Sequence, residues 1–497
     1  MSPMRRTTDP RVLTTAYQNG RLTRRQFVQG ALKLGFSTTA AAGLLTACHA
    51  GSHKATPAKL QGRVQILIGF AGGNSAPQRL VQQTLAEAFI AANPEVGIDF
   101  LRATSAVAAT TQLVTLVARG SAPDIVLGID LADVSNLVDQ HMWLDLHPLF
   151  SRDGVSTKSF LSEATSAAGL SNYYGGSKAI SGVAVGVHDH ALAYNEELFS
   201  RAGVAPPPTS WSAGSWSYTG SFLGTAQQLT VDSAGHHAGE AGFDPTKITQ
   251  FGTARIPPEA ILYSFANHLY GASKHQLALD TPGAVQGAQL AGDLINRYHV
   301  QPSAAQLLTL GGAGATDDPA QAAWRAGKLA MIDMCSCEID SGYGSKLPFS
   351  WKAAALPTGP ARRFRFLEVS LAGIVAASTQ HDLAWEVLKF FAVDPTHEGQ
   401  LSYDGFGVIP GLNANLDDFV TGIKQTVGVD TSEWTSGLSG ASAENDSWIP
   451  AFAGVHQLLT AALTNITGGA SAARVMPPLQ QQAQAQVDAW FKTNKLP

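Results

Sequence analysis

The sequence predicts an α/β fold with a largely parallel sheet, and three observations carry that prediction. Strand-like and helix-like stretches alternate from residue 63 to residue 130, the mark of a layered α/β unit. Apolar residues make up 45% of a 497-residue chain, enough for two cores of ordinary size. Local stops mark element ends, as at Gly72-Gly73-Asn74 and the triple proline 206–208.

In chain order, RVQILIGF (63–70) reads as a strand that turns at Gly72, Gly73 and Asn74. Residues 77–92 set Leu80, Val81, Leu85, Ala88 and Phe89 on one helical face. VGIDFLRA is a second strand, 110–119 a helix, and APDIVLGID a third strand ending at Asp130. Near residue 180 the pattern breaks. ISGVAVGVHDHALAYNEELFSRAGVAPPPTSW reads as two short strands, a helix and a triple-proline stop. Residues 211–253 read as loops, with a hairpin as the alternative, and Trp216 at a helix start. Helices are expected over 258–270, 282–298, 381–393 and the C-terminal stretch; GKLAMIDM and FSWKAAALP are further strands.

The N-terminal 47 residues are set apart as an export signal. Thr23-Arg24-Arg25-Gln26-Phe27 resembles a twin-arginine signal, a weakly apolar run follows, and Leu45-Thr46-Ala47-Cys48 resembles a lipobox. In such signals the Cys48 thiol is lipidated and the chain is cut before it. The apolar run, interrupted by Lys33, lacks the roughly 20 strongly apolar residues of a spanning helix. The expected location is the outer face of the cytoplasmic membrane, reached by the twin-arginine route and held by acyl chains. Residues 48–61 read as a flexible tether.

Charged residues are only 14%, the net charge is −5, and no basic run follows the signal, so nucleic acid is not an expected partner. Besides Cys48 there are only Cys335 and Cys337. In a strand their thiols would share a face, a Cys-x-Cys bridge closes a tight ring, and zinc wants four ligands. They are therefore expected as buried thiols. No metal, cofactor or catalytic motif is expected; nucleophile elbow, His-Glu-x-x-His and Ser-x-x-Lys patterns are absent from the mature sequence.

Several stretches together resemble the family-1 extracellular solute-binding proteins, the sugar-binding class that serves ABC importers. They are SGVAVGVHDHALAYNEELFSRAGVAPPPTSW, LDTPGAVQGAQLAGDLINRYHVQPS, AAWRAGKLAMIDM, LAGIVAASTQHDLAWEVLKFFAVDPTHEGQLSYDGFGVIPG and APDIVLGIDLADVSNLVDQHMWLDLHPLF. The resemblance implies a two-lobe, periplasmic-binding-protein-like fold of the type II, hinge-closing kind. It places one lobe at 62–187 with 335–372 and the other at 190–331 with 378–497. The chain would cross near 187–190, 330–334 and 372–378.

The implied function is capture of a carbohydrate in the inter-lobe cleft by a monomeric, non-enzymatic receptor, which hands it to the permease of an ABC importer. A sugar site needs fixed polar partners and flat aromatic faces. Asn74 and Asp130 are candidates as loop-end polar groups, where open α/β sheets place ligands. Trp216, Phe406 and Trp448 are aromatic candidates, with Tyr403 beside them. Ser336 and Glu338 stand where the family has a Gly-Trp turn, and Glu368 or Ser370 where it has a Gly-Gly pair. Two other functions compete: a secreted carbohydrate-active enzyme, which needs two carboxylates facing each other across a cleft, and a sensor that docks a receptor.

Overall fold

The computed structural model describes residues 60–69, 75–103, 106–130, 137–138, 140–161, 180–209, 214–266, 268–270, 275–311, 318–339, 343–365, 367–430, 432–436, 438 and 451–494. Residues 1–47, where an export signal is expected, and Cys48, Asn74 and Trp448 lie outside these residues. The described strands are β1 (Gly62–Ile68), β2 (Val96–Arg102), β3 (Ile125–Asp130), β4 (Val183–Asn195), β5 (Val231–Asp232), β6 (Ile248–Gln250), β7 (Met331–Cys335), β8 (Trp351–Ala354) and β9 (Leu367–Ile374). No helix among the described residues is long and apolar enough to cross a membrane.

The chain forms two compact units. The first holds the described residues among Met1–Leu170, Lys178–Val187 and Val369–Gly422; the second holds those among Ser171–Ser177, His188–Glu368 and Ile423–Pro497. This corrects the expected division. Residues 335–368 belong with the second unit, because β7 and β8 both pair with the second half of β4. Residues 378–422 belong with the first, because the helix His381–Ala392 packs on β1 and the π-helical segment Gln400–Phe406 packs on the helix Ala76–Ala92. Among the described residues the chain therefore changes unit at 187/188, 368/369 and 422/423, and not at 330–334.

In the first unit, β1 pairs in parallel with β2 and β3, while β9 runs antiparallel to β3 and β4 follows β9. Val64, Ile66, Leu67, Ile68, Val126 and Leu127 are buried, as a sheet covered on both faces requires. The helix Ala76–Ala92 starts at a capping box: Ser75 accepts from the Gln78 amide and Gln78 returns a bond to the Ser75 amide. Val81, Leu85 and Phe89 bury its apolar stripe. The loop at Gly411 passes so close to β4 that a Cβ there would collide with the Ala184 carbonyl.

In the second unit β4 is flanked by β7 and β8 and runs antiparallel to both. One core gathers Tyr194, Phe199, Trp216, Tyr218 and Phe222, with Trp216 edge-on to Phe222. A second core joins the helices Pro258–Ala266, Pro282–Asn296, Phe452–Thr467 and Ala472–Asn494. Pro282–Asn296 lies tight against Pro258–Ala266 because Gly287 faces Leu262 and Phe265, where any side chain would crowd the Leu262 backbone.

Candidate functional site

The segment VAVGVHDHALAYN forms one continuous strand, β4, instead of two short ones. Its three polar residues at the start of the second unit are each accommodated within that unit. Asp189 is fully buried and ion-paired with Arg365, itself 2% exposed. An Arg365 Nη donates to the carbonyls of Glu433 and Trp434 at 3.3 and 3.4 Å. His190 Nδ1 lies 2.7 Å from Asp333 Oδ2, a diagonal pair across antiparallel β4 and β7, where His190 stands opposite Cys335 and Asp333 opposite Leu192. His188 is buried, and its Nδ1 lies 3.8 Å from Cys335 Sγ.

Beyond β7 the chain leaves the strand at Cys335 and turns through a 3-10 segment, Ser336–Glu338. Cys335 and Cys337 are joined as a disulfide, with 5.2 Å between their Cα atoms. This corrects the expectation of two free thiols on one strand face: the turn brings the two sulfurs together. Ser336 is buried, and its Oγ accepts from the Asp189 amide at 3.1 Å. Glu338 forms a two-point ion pair with Arg255, at 2.9 Å (Oε1) and 3.0 Å (Oε2). Glu338 Oε2 also accepts from the Cys335 amide at 3.0 Å. The Arg255 guanidinium sits 4.7 Å over the Tyr343 ring, whose hydroxyl donates to Asp318.

His190, Arg255 and Glu338, each partly exposed, thus form a fixed polar surface on the second unit, with the buried Asp333 holding His190 and the exposed Glu368 close enough to act on it. Burial opposes the charge on His190, but the charge and hydrogen bond of Asp333, then Glu368 and Glu338, hold its pKa above the ordinary histidine value. Burial likewise opposes the Arg255 charge, and Glu338 outweighs it, raising that pKa. His188 goes the other way: burial and then the His190 charge push it down to about 3. The polar groups are oriented by two-point and charge-assisted bonds, an arrangement suited to reading a ring of hydroxyls.

Of the sequence candidates, Glu338 stands in this surface and Glu368 next to it. Ser336 supports it from inside. Asp130 closes β3, and Ser370, buried on β9, stands opposite it in register. Trp216 is not at a helix start, since the helix begins at Ser221; it is 4% exposed, and its indole N–H donates to the Ala355 carbonyl at 3.0 Å. Its faces are covered by core packing, so it is a core residue and offers none to a ligand. Phe406 is likewise buried, at the end of the π-helical segment, while the half-buried Tyr403 meets Phe419 edge-on. The sequence reading missed Arg255, Asp333 and Tyr343, and set His190 down to the chain crossing alone.

No family model matches the chain, and no curated protein matches it by sequence. Solved structures do match in fold. An ABC substrate-binding protein from Listeria monocytogenes in complex with cycloalternan is 14% identical, with a TM-score of 0.66 over 88% of this chain and 100% of its own. UgpB from Mycobacterium tuberculosis, in complex with glycerophosphocholine, is 17% identical, with a TM-score of 0.66 over 86% and 99%. The GacH receptor of Streptomyces glaucescens, solved unliganded and with acarbose, is 17% identical, with a TM-score of 0.63 over 88% and 99%. The chain therefore has the mixed α/β, two-lobe, periplasmic-binding-protein-like fold of the ABC sugar-binding proteins, as its resemblance to the family-1 solute-binding proteins implied.

Proposed function

We propose that the protein is a lipid-anchored extracellular receptor that captures a carbohydrate between its lobes and delivers it to the permease of an ABC importer. The observation that carries this reading is the fixed polar surface around Arg255 and Glu338, set on a fold whose solved examples include complexes with cycloalternan and with acarbose. Sugar hydroxyls meeting such a surface exchange water for oriented, charge-assisted bonds. The lobes close on the solute because ligand favours the closed state. Asn74, Asp130, Glu368 and Trp448 complete the proposed contact set. Anchoring through Cys48, export by the twin-arginine route and a monomeric state follow from the signal and the family resemblance.

Binding without turnover is favoured over hydrolysis by the state of Glu338. Both its oxygens are taken, one by Arg255 and the other by Arg255 and the Cys335 amide. A general acid or nucleophile needs a carboxyl free to give a proton or attack. Titration calorimetry against linear and cyclic oligosaccharides, with a glycerophosphodiester as comparison, tests the reading. One glycan class is expected to bind with one-to-one stoichiometry. Arg255→Lys, which keeps the charge and loses the two-point geometry, is expected to weaken it about tenfold, or about 1.4 kcal/mol. Silence across the glycan panel, or an unchanged affinity in a folded Arg255→Lys protein, contradicts it.

A further inference from the structure

Inside the second unit, a ring nitrogen of His188 and the Sγ atoms of Cys335 and Cys337 all lie within 4.8 Å of one another. His188 sits on β4, Cys335 ends β7, and Cys337 lies on the turn that follows. We propose that, once its disulfide is reduced, this cluster binds a thiophilic divalent cation such as Zn2+, so that metal binding and disulfide formation exclude each other.

Three features carry the assignment. The first is geometry. A tetrahedral zinc with bonds of about 2.3 Å to sulfur and about 2.0 Å to nitrogen holds S and N roughly 3.5 Å apart. The observed separation of Cys335 Sγ from His188 Nδ1 is 3.8 Å, so two of the three donors already stand at ligand spacing. Cys337 lies on the short turn and is half-buried, so its side chain can swing from Cys335 toward the cation. The second is charge. Two thiolates and a neutral imidazole cancel a dication, which suits a buried position. The charged neighbours are already balanced, Arg255 with Glu338 and Arg365 with Asp189. The third is access. The half-buried Cys337 leaves a fourth position to water, and a site with three protein ligands and one water is a known zinc arrangement.

The chemistry balances without help from the fold. A phosphine and one water reduce the disulfide: the phosphine leaves as its oxide, and each sulfur leaves as a thiol. The cation then displaces both thiol protons to solvent as two metal–sulfur bonds form. Reoxidation by a disulfide reagent expels the metal.

The test uses the full-length chain carrying Cys48→Ala, so that the pair supplies its only thiols. After phosphine reduction and anaerobic buffer exchange, Co2+ is titrated in as a spectroscopic stand-in for Zn2+. One equivalent is expected to give sulfur-to-cobalt charge-transfer bands and tetrahedral ligand-field bands, bleached by one equivalent of Zn2+. The oxidised chain is expected to give neither. Cys337→Ser, at the more exposed ligand, is expected to weaken Co2+ binding at least tenfold; His188→Gln should shift the ligand-field bands. Reduced protein with two assayable thiols and a native circular dichroism spectrum, yet no charge-transfer band, overturns the proposal. So does a Cys337→Ser protein that binds as tightly as its parent. Neither result bears on glycan binding, which is read separately.

Discussion

Arg365→Leu is expected to destabilise the second unit by about 3–5 kcal/mol, the range for removing one partner of a buried ion pair. Arg365 is 2% exposed and Asp189 not at all, so the substitution strands a carboxylate with no route to water. The loss also frees the Glu433 and Trp434 carbonyls from their shared donor. The effect is local, since Asp189, Ser336 and Arg365 all lie in the second unit, and the Asp189 amide already donates to Ser336. Because two units unfold in one chain, a single unfolding free energy is ill-defined, and hydrogen exchange resolved by peptide is the appropriate readout. Faster exchange should appear in β4, β7 and β8, while β1 and β2 keep their protection. The double variant Asp189→Leu/Arg365→Met should recover most of the loss, since removing both charges removes the desolvation penalty. A cost below about 1 kcal/mol for Arg365→Leu would show that the pair is solvated in solution.

The second large effect is a pH dependence in the first unit, set by Glu398. Its side chain is fully buried, and burial outweighs its hydrogen bonds to push its pKa up from 4.5 to about 7. The hydrogen count agrees. Ser402 Oγ lies 2.6 Å from the Val185 carbonyl and 2.7 Å from Glu398 Oε1, yet has one proton to give. A protonated Glu398 satisfies all three groups: it donates to Ser402, which donates to Val185. The Gly411 amide (2.7 Å) and Asn415 Nδ2 (2.6 Å) still donate to the carboxyl. A pKa raised on folding means that the folded unit holds the proton longer than the unfolded chain. The contribution is therefore complete below pH 4.5 and is lost as pH rises toward about 7. The loss is roughly 3 kcal/mol across that window. Glu398→Gln should flatten that part of the pH profile. Asp153 in the same unit acts in another range: Arg152, and then Lys389 and Trp385, hold its pKa well below the carboxylate norm, so its contribution fades only in stronger acid. Peptide-resolved hydrogen exchange of the first unit in both proteins at pH 4.5 and 7 decides the matter; parallel profiles would mean that folding does not raise the Glu398 pKa.

How far the fold could be read from the chain depended on where its periodicity came from. The helix Ala76–Ala92 was legible because one face is buried and a cap marks its start. β4 was not legible as a unit. It is buried along almost its whole length, so the two-residue alternation of a half-buried strand is missing. His188, Asp189 and His190 looked like a break, yet Asp189 and His190 are matched by Arg365 and Asp333. Such partners leave no local trace: Arg255 and Glu338 stand 83 positions apart, His190 and Asp333 143. Glu338 could be picked out because it departs from the family pattern, whereas Arg255 sits in an unremarkable stretch before Pro257. Trp216 and Phe406 misled for a complementary reason. Large aromatic rings serve cores and sugar sites alike, and sequence alone does not separate the two. The division into units was misplaced because β7 resembled a crossing strand, while its pairing with β4 keeps it in the second unit.

Capture of a glycan without chemistry is the function proposed for the protein. Its most direct test is equilibrium dialysis of the purified chain against an oligosaccharide mixture, followed by mass spectrometry of what the protein retains. The expected result is one oligosaccharide per chain, recovered at its original mass after prolonged incubation. Retention of no glycan, or recovery of shortened products, would contradict the account.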